Sequence, residues 1–168
     1  MTLISLSATA QTSDSLIVQT LRDSGIRFSH NNSVALLMSG QEKLDDMFHA
    51  IMQAKSSIHL EYFNFRNDSI AMLLFDILRM KSKEGVEVRA MFDGFGNDSN
   101  NQPLKKRHLK PLREDGIQIV EYSPSRFPWV NHIYGRDHRK IVVIDGRIAY
   151  TGGMNVNRRS EERFSRNA

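Results

Sequence analysis

Apolar and polar positions along this chain recur with two periods, and the changes between them outline its elements. Residues 34–38 (VALLM) form an apolar run of the length expected for a buried strand. Ser39 follows as an N-cap, with Glu42 three residues on completing a capping box. Leu44, Met47, Phe48, Ile51 and Met52 then recur at helical spacing, which predicts a helix whose methionines belong to the core. Residues 57–65 (SIHLEYFNF) alternate, with Ile58, Leu60 and Tyr62 on one side and His59, Glu61 and Phe63 on the other, as in a strand.

Asp68 is placed to cap a second helix with a stripe of Ile70, Leu73, Leu74, Ile77 and Leu78, ended by Gly85. A strand at 86–93 leads into a polar loop at 94–102 (GFGNDSNNQ). Gly94 and Gly96 are too closely set for a dinucleotide fingerprint and read as a turn. A weaker helix at 103–115 carries Pro111, which should kink or break it, and Gly116 stops it. Strand 117–122, a loop at 123–136 and a hairpin at 137–150 complete the pattern. The fold class is therefore α/β, a mixed and largely parallel sheet flanked by helices.

Composition changes this picture little. The chain has 168 residues, 40% hydrophobic and 25% charged, ordinary for one globular domain. It contains no apolar run of the ~18 residues that span a bilayer and no internal repeat. The absence of cysteine excludes disulfide frameworks, thiolate zinc sites and thiol nucleophiles. Charge matters more. The net +4 is uneven: residues 101–140 hold nine basic and four acidic side chains, a surplus that attracts lipid headgroups or a nucleic-acid backbone, although a cluster such as 105–113 is also what a solvated helix face looks like.

The candidate chemistry lies in the final hairpin. In the strand begun by residues 138–140 (HRK), His138 and Lys140 project from one face while Arg139 points the other way. Residues 141–144 are apolar on both faces, as in a central strand, and Asp145-Gly146 is a strong hairpin signal. The returning strand delivers Gly152, Gly153 and Asn155, whose backbone N–H groups and side-chain amide can line a site opposite His138. These are parts for a phosphodiester: an imidazole to attack phosphorus, and an ammonium and N–H donors to hold the nonbridging oxygens, with no metal and no other cofactor required. The bland alternative is a lone histidine in a basic hairpin.

The pattern H-x-K-x4-D-x6-G-G-x-N, at His138, Lys140, Asp145, Gly152, Gly153 and Asn155, resembles the phospholipase D superfamily. The surrounding segments RDHRKIVVIDGRIAYTGGMNV, SIHLEYFNFRND and GVEVRAMFDGFGN resemble its bacterial cardiolipin synthase branch, over about residues 34–156. The resemblance implies an α/β/α layered lobe in which His138 is the phosphohistidine nucleophile or the proton-transfer partner and Lys140 the phosphate ligand. Asp145 completes the catalytic signature, but its place at the turn gives it the task of holding the hairpin. Gly153 stands where many relatives have serine. Members of the superfamily work with two facing motifs, and this chain has one, so a second lobe or a homodimer partner is expected to complete the site. The implied substrate is an anionic phospholipid, phosphatidylglycerol, at a membrane surface. Alternatives are a nuclease or phospholipase completed by homodimerisation, or a non-catalytic fragment that binds anionic lipid or nucleic acid.

The two ends read differently. Ala8-Thr9-Ala10 has the small-x-small form of a signal-peptidase site, so residues 1–10 are either the remnant of an export signal or an unstructured start. Residues 11–33 form an N-terminal extension, 34–158 the lobe, and 159–168 (RSEERFSRNA) a tail that resembles a translated sequencing adapter and is expected to be non-native. Elsewhere, His132 on the Trp129 loop could line a headgroup pocket but reads more readily as a surface-loop histidine, and His59 with Glu61 could orient site groups or form a satisfied polar face. Phe127, Trp129 and Tyr134 near Arg126 and Arg136 could seat in a lipid interface or cap the site. His30, His49 and His108 form no constellation.

Overall fold

The computed structural model describes residues 13–124 and 135–156. The chain divides into two compact units, residues 1–36 and 37–168. In the first, α1 (Ser13–Asp23) carries Asp14 in its first turn and Arg22 in its last, charges that suit the two ends of a helix dipole.

The second unit contains α2 (Gly40–Met52), β1 (Ser57–Tyr62), α3 (Ser69–Lys83), β2 (Glu87–Asp93), the single turn α4 (Gly94–Asp98), α5 (Lys106–Glu114), β3 (Gln118–Tyr122), β4 (Lys140–Ile144) and β5 (Ile148–Thr151). The five strands form one mixed sheet in the order β3-β2-β1-β4-β5. β1 pairs parallel with β2, and β2 with β3; β4 lies antiparallel to β1, and β5 antiparallel to β4.

Local chemistry explains the helix starts. Ser39 accepts the Glu42 N–H at 3.1 Å, while the Glu42 carboxylate accepts the Met38 N–H at 2.7 Å. Asp68 accepts the Ala71 N–H at the head of α3. α5 continues through Pro111, the sixth of its nine residues, giving up a single backbone N–H, and the expected break does not occur.

Tertiary packing is one-sided. Ile58, Leu60, Tyr62, Val88, Ala90, Phe92, Ile119, Val142 and Ile144 point from the sheet into a single core, where they meet Leu44, Met47 and Ile51 of α2, Leu74, Phe75 and Leu78 of α3, and Leu109 and Leu112 of α5. Each Val, Leu, Ile, Phe or Met side chain among them contributes about 1.5–3 kcal/mol by leaving water. The alternate positions, His59, Arg89, Gln118 and Val120, are exposed. Among the described residues, therefore, α2, α3 and α5 cover one face of the sheet only, in place of the three-layer sandwich expected.

Three further expectations are corrected. Residues 34–38 form no strand, and Val34, Leu36 and Met38 are 89%, 80% and 74% exposed. Both flanks of β1 are taken by β2 and β4, so a buried strand position is not open to this run. Met52 and Leu73, both assigned to buried stripes, are about half exposed. Met52 ends its helix, and the buried face of α3 runs instead through Ala71, Leu74, Phe75 and Leu78. Residues 94–98 form a helical turn rather than an open loop, because Asp93 caps them by accepting the Gly96 N–H at 2.9 Å.

Candidate active site

The strand order reverses direction at β1: β2 and β3 lie on one side of it, β4 and β5 on the other. In sheets built this way, ligands bind outside the carboxyl ends of the parallel strands, at the point of reversal. Here the antiparallel register sets Tyr62, the last residue of β1, opposite Lys140, the first of β4. The start of the H-x-K sequence is thereby delivered to that end of the sheet.

Phe63 organises the pair. β1 stops at Tyr62, so Phe63 leaves the strand alternation and its ring meets the His138 ring, with centroids 4.7 Å apart and planes tilted by 56°. The Lys140 ammonium lies 5.1 Å from the same ring and donates to the His138 carbonyl at 2.6 Å. His138 is exposed, whereas Lys140 is only 5% exposed. Burial holds the Lys140 pKa below its ordinary value, and the charge of Asp137 opposes that shift.

Beneath them lies a network of acidic groups. Asp93, fully buried at the end of β2, accepts the Asp137 N–H at 3.0 Å and the Gly96 N–H at 2.9 Å, and lies 3.5 Å from the Arg136 guanidinium. Asp137 accepts both the backbone N–H and the Nε–H of Arg139 at 3.1 Å. Arg139 also pairs with Glu61 at 2.6 Å. Burial, followed by the hydrogen bond and charge of Asp137, raises the Glu61 pKa. Burial pushes Asp137 the same way, but hydrogen bonds from Glu61 and Arg139 outweigh it and leave Asp137 lowered. A hollow of about 500 Å³ beside this network is lined by Tyr122, Gly135, Arg136, Asp137, His138 and Arg139. A second hollow, of about 390 Å³, lies on the exposed sheet face over Met91, Val120, Ile141 and Val143 and does not include His138.

Asp145 is at the other end of β4, roughly 17 Å from Lys140 at strand rise. Its carboxylate accepts the N–H groups of Lys55, Ser56 and Ser57 at 2.7–2.9 Å, together with the Ser56 hydroxyl at 2.8 Å. These bonds hold its pKa far below the usual carboxylate range. With Asp145 itself at φ 52°, it ties the hairpin turn to the start of β1. Gly152, Gly153 and Asn155 follow β5, whose Thr151 pairs with Ile141, so the segment leaves the sheet at the Lys140 end. A bridge between Phe65 and Val156 aligns it beside residues 63–65. Both glycines are exposed, and a Cβ on either would meet open space.

Among the described residues, the remaining histidines join no site. His59 bonds Glu87 at 2.9 Å, His49 bonds Gln53, and the His108 Nδ1 accepts the Lys105 N–H. His132, Arg126, Phe127, Trp129 and Tyr134 lie outside the described residues, as do both chain ends.

Residues 47–167 match the family model described as "Cardiolipin synthase, PLD-like domain". The chain belongs to that family. It is 41% identical over 122 residues to cardiolipin synthase 1 of Bacillus cereus, covering 72% of this chain and 23% of that protein. It is 38% identical to the cardiolipin synthase of Oceanobacillus iheyensis over 84% of this chain and 29% of the relative. The chain thus spans about a quarter of the length of these curated relatives. Among solved structures, NucT from Helicobacter pylori aligns with a TM-score of 0.55 at 17% identity, over 72% of this chain and 71% of that one. Nuc from Salmonella typhimurium, described as a phospholipase D family member, aligns at 0.50 and 22%, over 70% and 66%. Both support a phospholipase D-like fold for this chain.

Sequence reasoning paired His138 with Lys140 but missed Phe63, Asp93 and the Glu61–Arg139 contact. One signal for Asp93 was present: an aspartate three residues before Gly96 is an N-cap arrangement. A Cβ on Gly96 would lie 2.2 Å from the Phe63 carbonyl oxygen, so this close approach requires glycine.

Proposed function

We propose that this chain is the motif-bearing lobe of a phosphatidyltransferase that makes cardiolipin from phosphatidylglycerol. The observation that carries the reading is the meeting of His138 and Lys140 on the Phe63 ring, in a chain of the cardiolipin synthase family. The His138 imidazole attacks the phosphorus of one phosphatidylglycerol, the P–O bond to its headgroup glycerol breaks, and that glycerol leaves with a proton. The glycerol hydroxyl of a second phosphatidylglycerol then attacks the phosphohistidine, regenerates the imidazole and yields cardiolipin. Lys140, already pointing toward His138, holds a nonbridging oxygen.

A second H-x-K motif, from another lobe or a second copy of the chain, supplies the complementary proton transfers. On this reading the 168-residue chain alone is inactive. The site works at an anionic bilayer surface, toward which the basic stretch at 101–140 is drawn.

The test is His138→Ala in the protein expressed from its full gene, assayed on phosphatidylglycerol vesicles. Cardiolipin is lost, and Lys140→Ala weakens both binding and turnover. Wild-type amounts of cardiolipin from the His138 variant overturn the assignment. Cleavage of DNA or simple lipid hydrolysis in place of transfer assigns the site to a phosphodiesterase instead.

A further inference from the structure

We propose that Asp93 is a positioning residue for His138, acting through two separate paths that both begin at its carboxylate. The inference rests on the reading of His138 as the reacting imidazole. Asp93 is the last residue of β2 and has no exposed surface. A helix cap alone would use one oxygen, and serine or asparagine would serve. Here both oxygens are engaged: Oδ1 accepts the Gly96 N–H at 2.9 Å, and Oδ2 accepts the Asp137 N–H at 3.0 Å.

The first path is along the backbone. Asp137 directly precedes His138, so its bond to Asp93 fixes where the histidine leaves the main chain. The Arg136 guanidinium, 3.5 Å from Asp93 Oδ1, donates to the Ser123 carbonyl at 2.8 Å and joins the same stretch to the end of β3.

The second path is through a ring. By holding Gly96, Asp93 presses the α4 turn against Phe63, where a Cβ on Gly96 would lie within 2.9 Å of the Phe63 carbonyl oxygen and two of its ring carbons. Phe63 in turn meets His138 at 4.7 Å. Asn97 anchors the far side of this turn, exchanging hydrogen bonds with the backbone of Leu104 at 2.8 and 3.0 Å. Displacing Asp93 therefore releases the backbone entering His138 and the ring supporting it.

Asparagine in place of Asp93 keeps the volume but offers one acceptor where two N–H groups converge, which leaves a buried donor unpaired. The experiment records the ring signals of His138 by NMR in the 168-residue chain, assigned by their loss in His138→Gln. Phe63→Leu calibrates the ring-current displacement that Phe63 imposes. In Asp93→Asn with a dispersed amide spectrum, the His138 ring signals move to their Phe63→Leu positions and the Asp137 amide loses its protection from hydrogen exchange. Wild-type ring positions and wild-type protection in that variant overturn the proposal. Should Asp93→Asn fail to fold, the wild-type chain decides: a protected Asp137 amide upholds the proposal, and an unprotected one overturns it. None of these readouts depends on turnover. Retention of activity by His138→Ala would overturn the proposed function while leaving the ring positions as they are.

Discussion

Phe63 supports His138 and Lys140 at once, its ring 4.7 Å from the imidazole and 5.1 Å from the ammonium. The ring offers no hydrogen-bond acceptor that would compete with a phosphate, yet it attracts the cation by about 0.5–2 kcal/mol. Phe63→Leu removes that attraction and the aromatic contact while leaving an apolar floor. In the protein expressed from its full gene, kcat/KM on phosphatidylglycerol vesicles should fall about tenfold, equivalent to ~1.4 kcal/mol of transition-state stabilisation. An unchanged rate would show that the ring is only packing.

Asp145 makes the fold sensitive to acid. An aspartate in an unfolded chain titrates near ~3.9, whereas here three backbone N–H groups hold its pKa far lower. For a carboxylate depressed by folding, the stabilisation is complete above the unfolded value and is lost as pH falls toward the folded one. Asp145→Asn should lower Tm at pH 7, and its gap from the wild type should narrow in melts at pH 4 and pH 3. A gap that stays constant across that range contradicts this account.

Lys43 shows the opposite dependence. Its ammonium donates to the Tyr62 hydroxyl at 3.0 Å, and burial lowers its pKa to about 8. The charged form is thus penalised in the fold. The penalty is complete below about pH 8 and is relieved as pH rises toward ~10.4, the value for a free lysine. Lys43→Met should raise Tm at pH 7 and give little gain near pH 10. Thermal melts at the two pH values test it, and a gain that persists at pH 10 would rule the mechanism out.

The buried face of α3 can be checked with two neighbouring leucines. Leu74 is fully buried and Leu73 is 49% exposed. Leu74→Ala should cost about 2.7–5 kcal/mol, the range for emptying a packed core position, and Leu73→Ala about 1 kcal/mol or less. Urea denaturation measures both, and equal costs would mean that the face is misassigned.

These leucines also illustrate what was legible in the sequence. The helical spacing of Ile70, Leu73, Leu74, Ile77 and Leu78 located α3, but a stripe of that width includes its flanks, and only the packed sheet decides which flank is covered. The alternation at 57–65 located β1, although the strand stops at Tyr62, and the pattern at 138–140 named the two residues that meet on Phe63, although β4 begins only at Lys140 and His138 precedes the strand rather than sharing its face. What stayed hidden depends on contacts between distant segments. Asp93 looks like an ordinary turn aspartate until Asp137 arrives beside it. Residues 34–38 read as a strand because composition records apolarity and says nothing of whether a neighbour is available. Phe63 followed the alternation on paper, but the chain leaves the sheet one residue earlier.

The pairing of β1 with β4 joins Tyr62 to Lys140 and Ile58 to Ile144, a long-range closure at the middle of the sheet. During synthesis β1, β2 and β3 emerge together with their helices, whereas β4, which fills the other flank of β1, arrives only after them. Until then a row of backbone donors and acceptors stands open beside the most apolar part of the nascent protein. Such non-local closures slow folding and prolong exposure to aggregation. An open flank of this kind accepts β4 from a neighbouring polypeptide on the same terms as its own, so crowded expression favours strand-exchanged dimers and slow, dilute refolding favours the monomer.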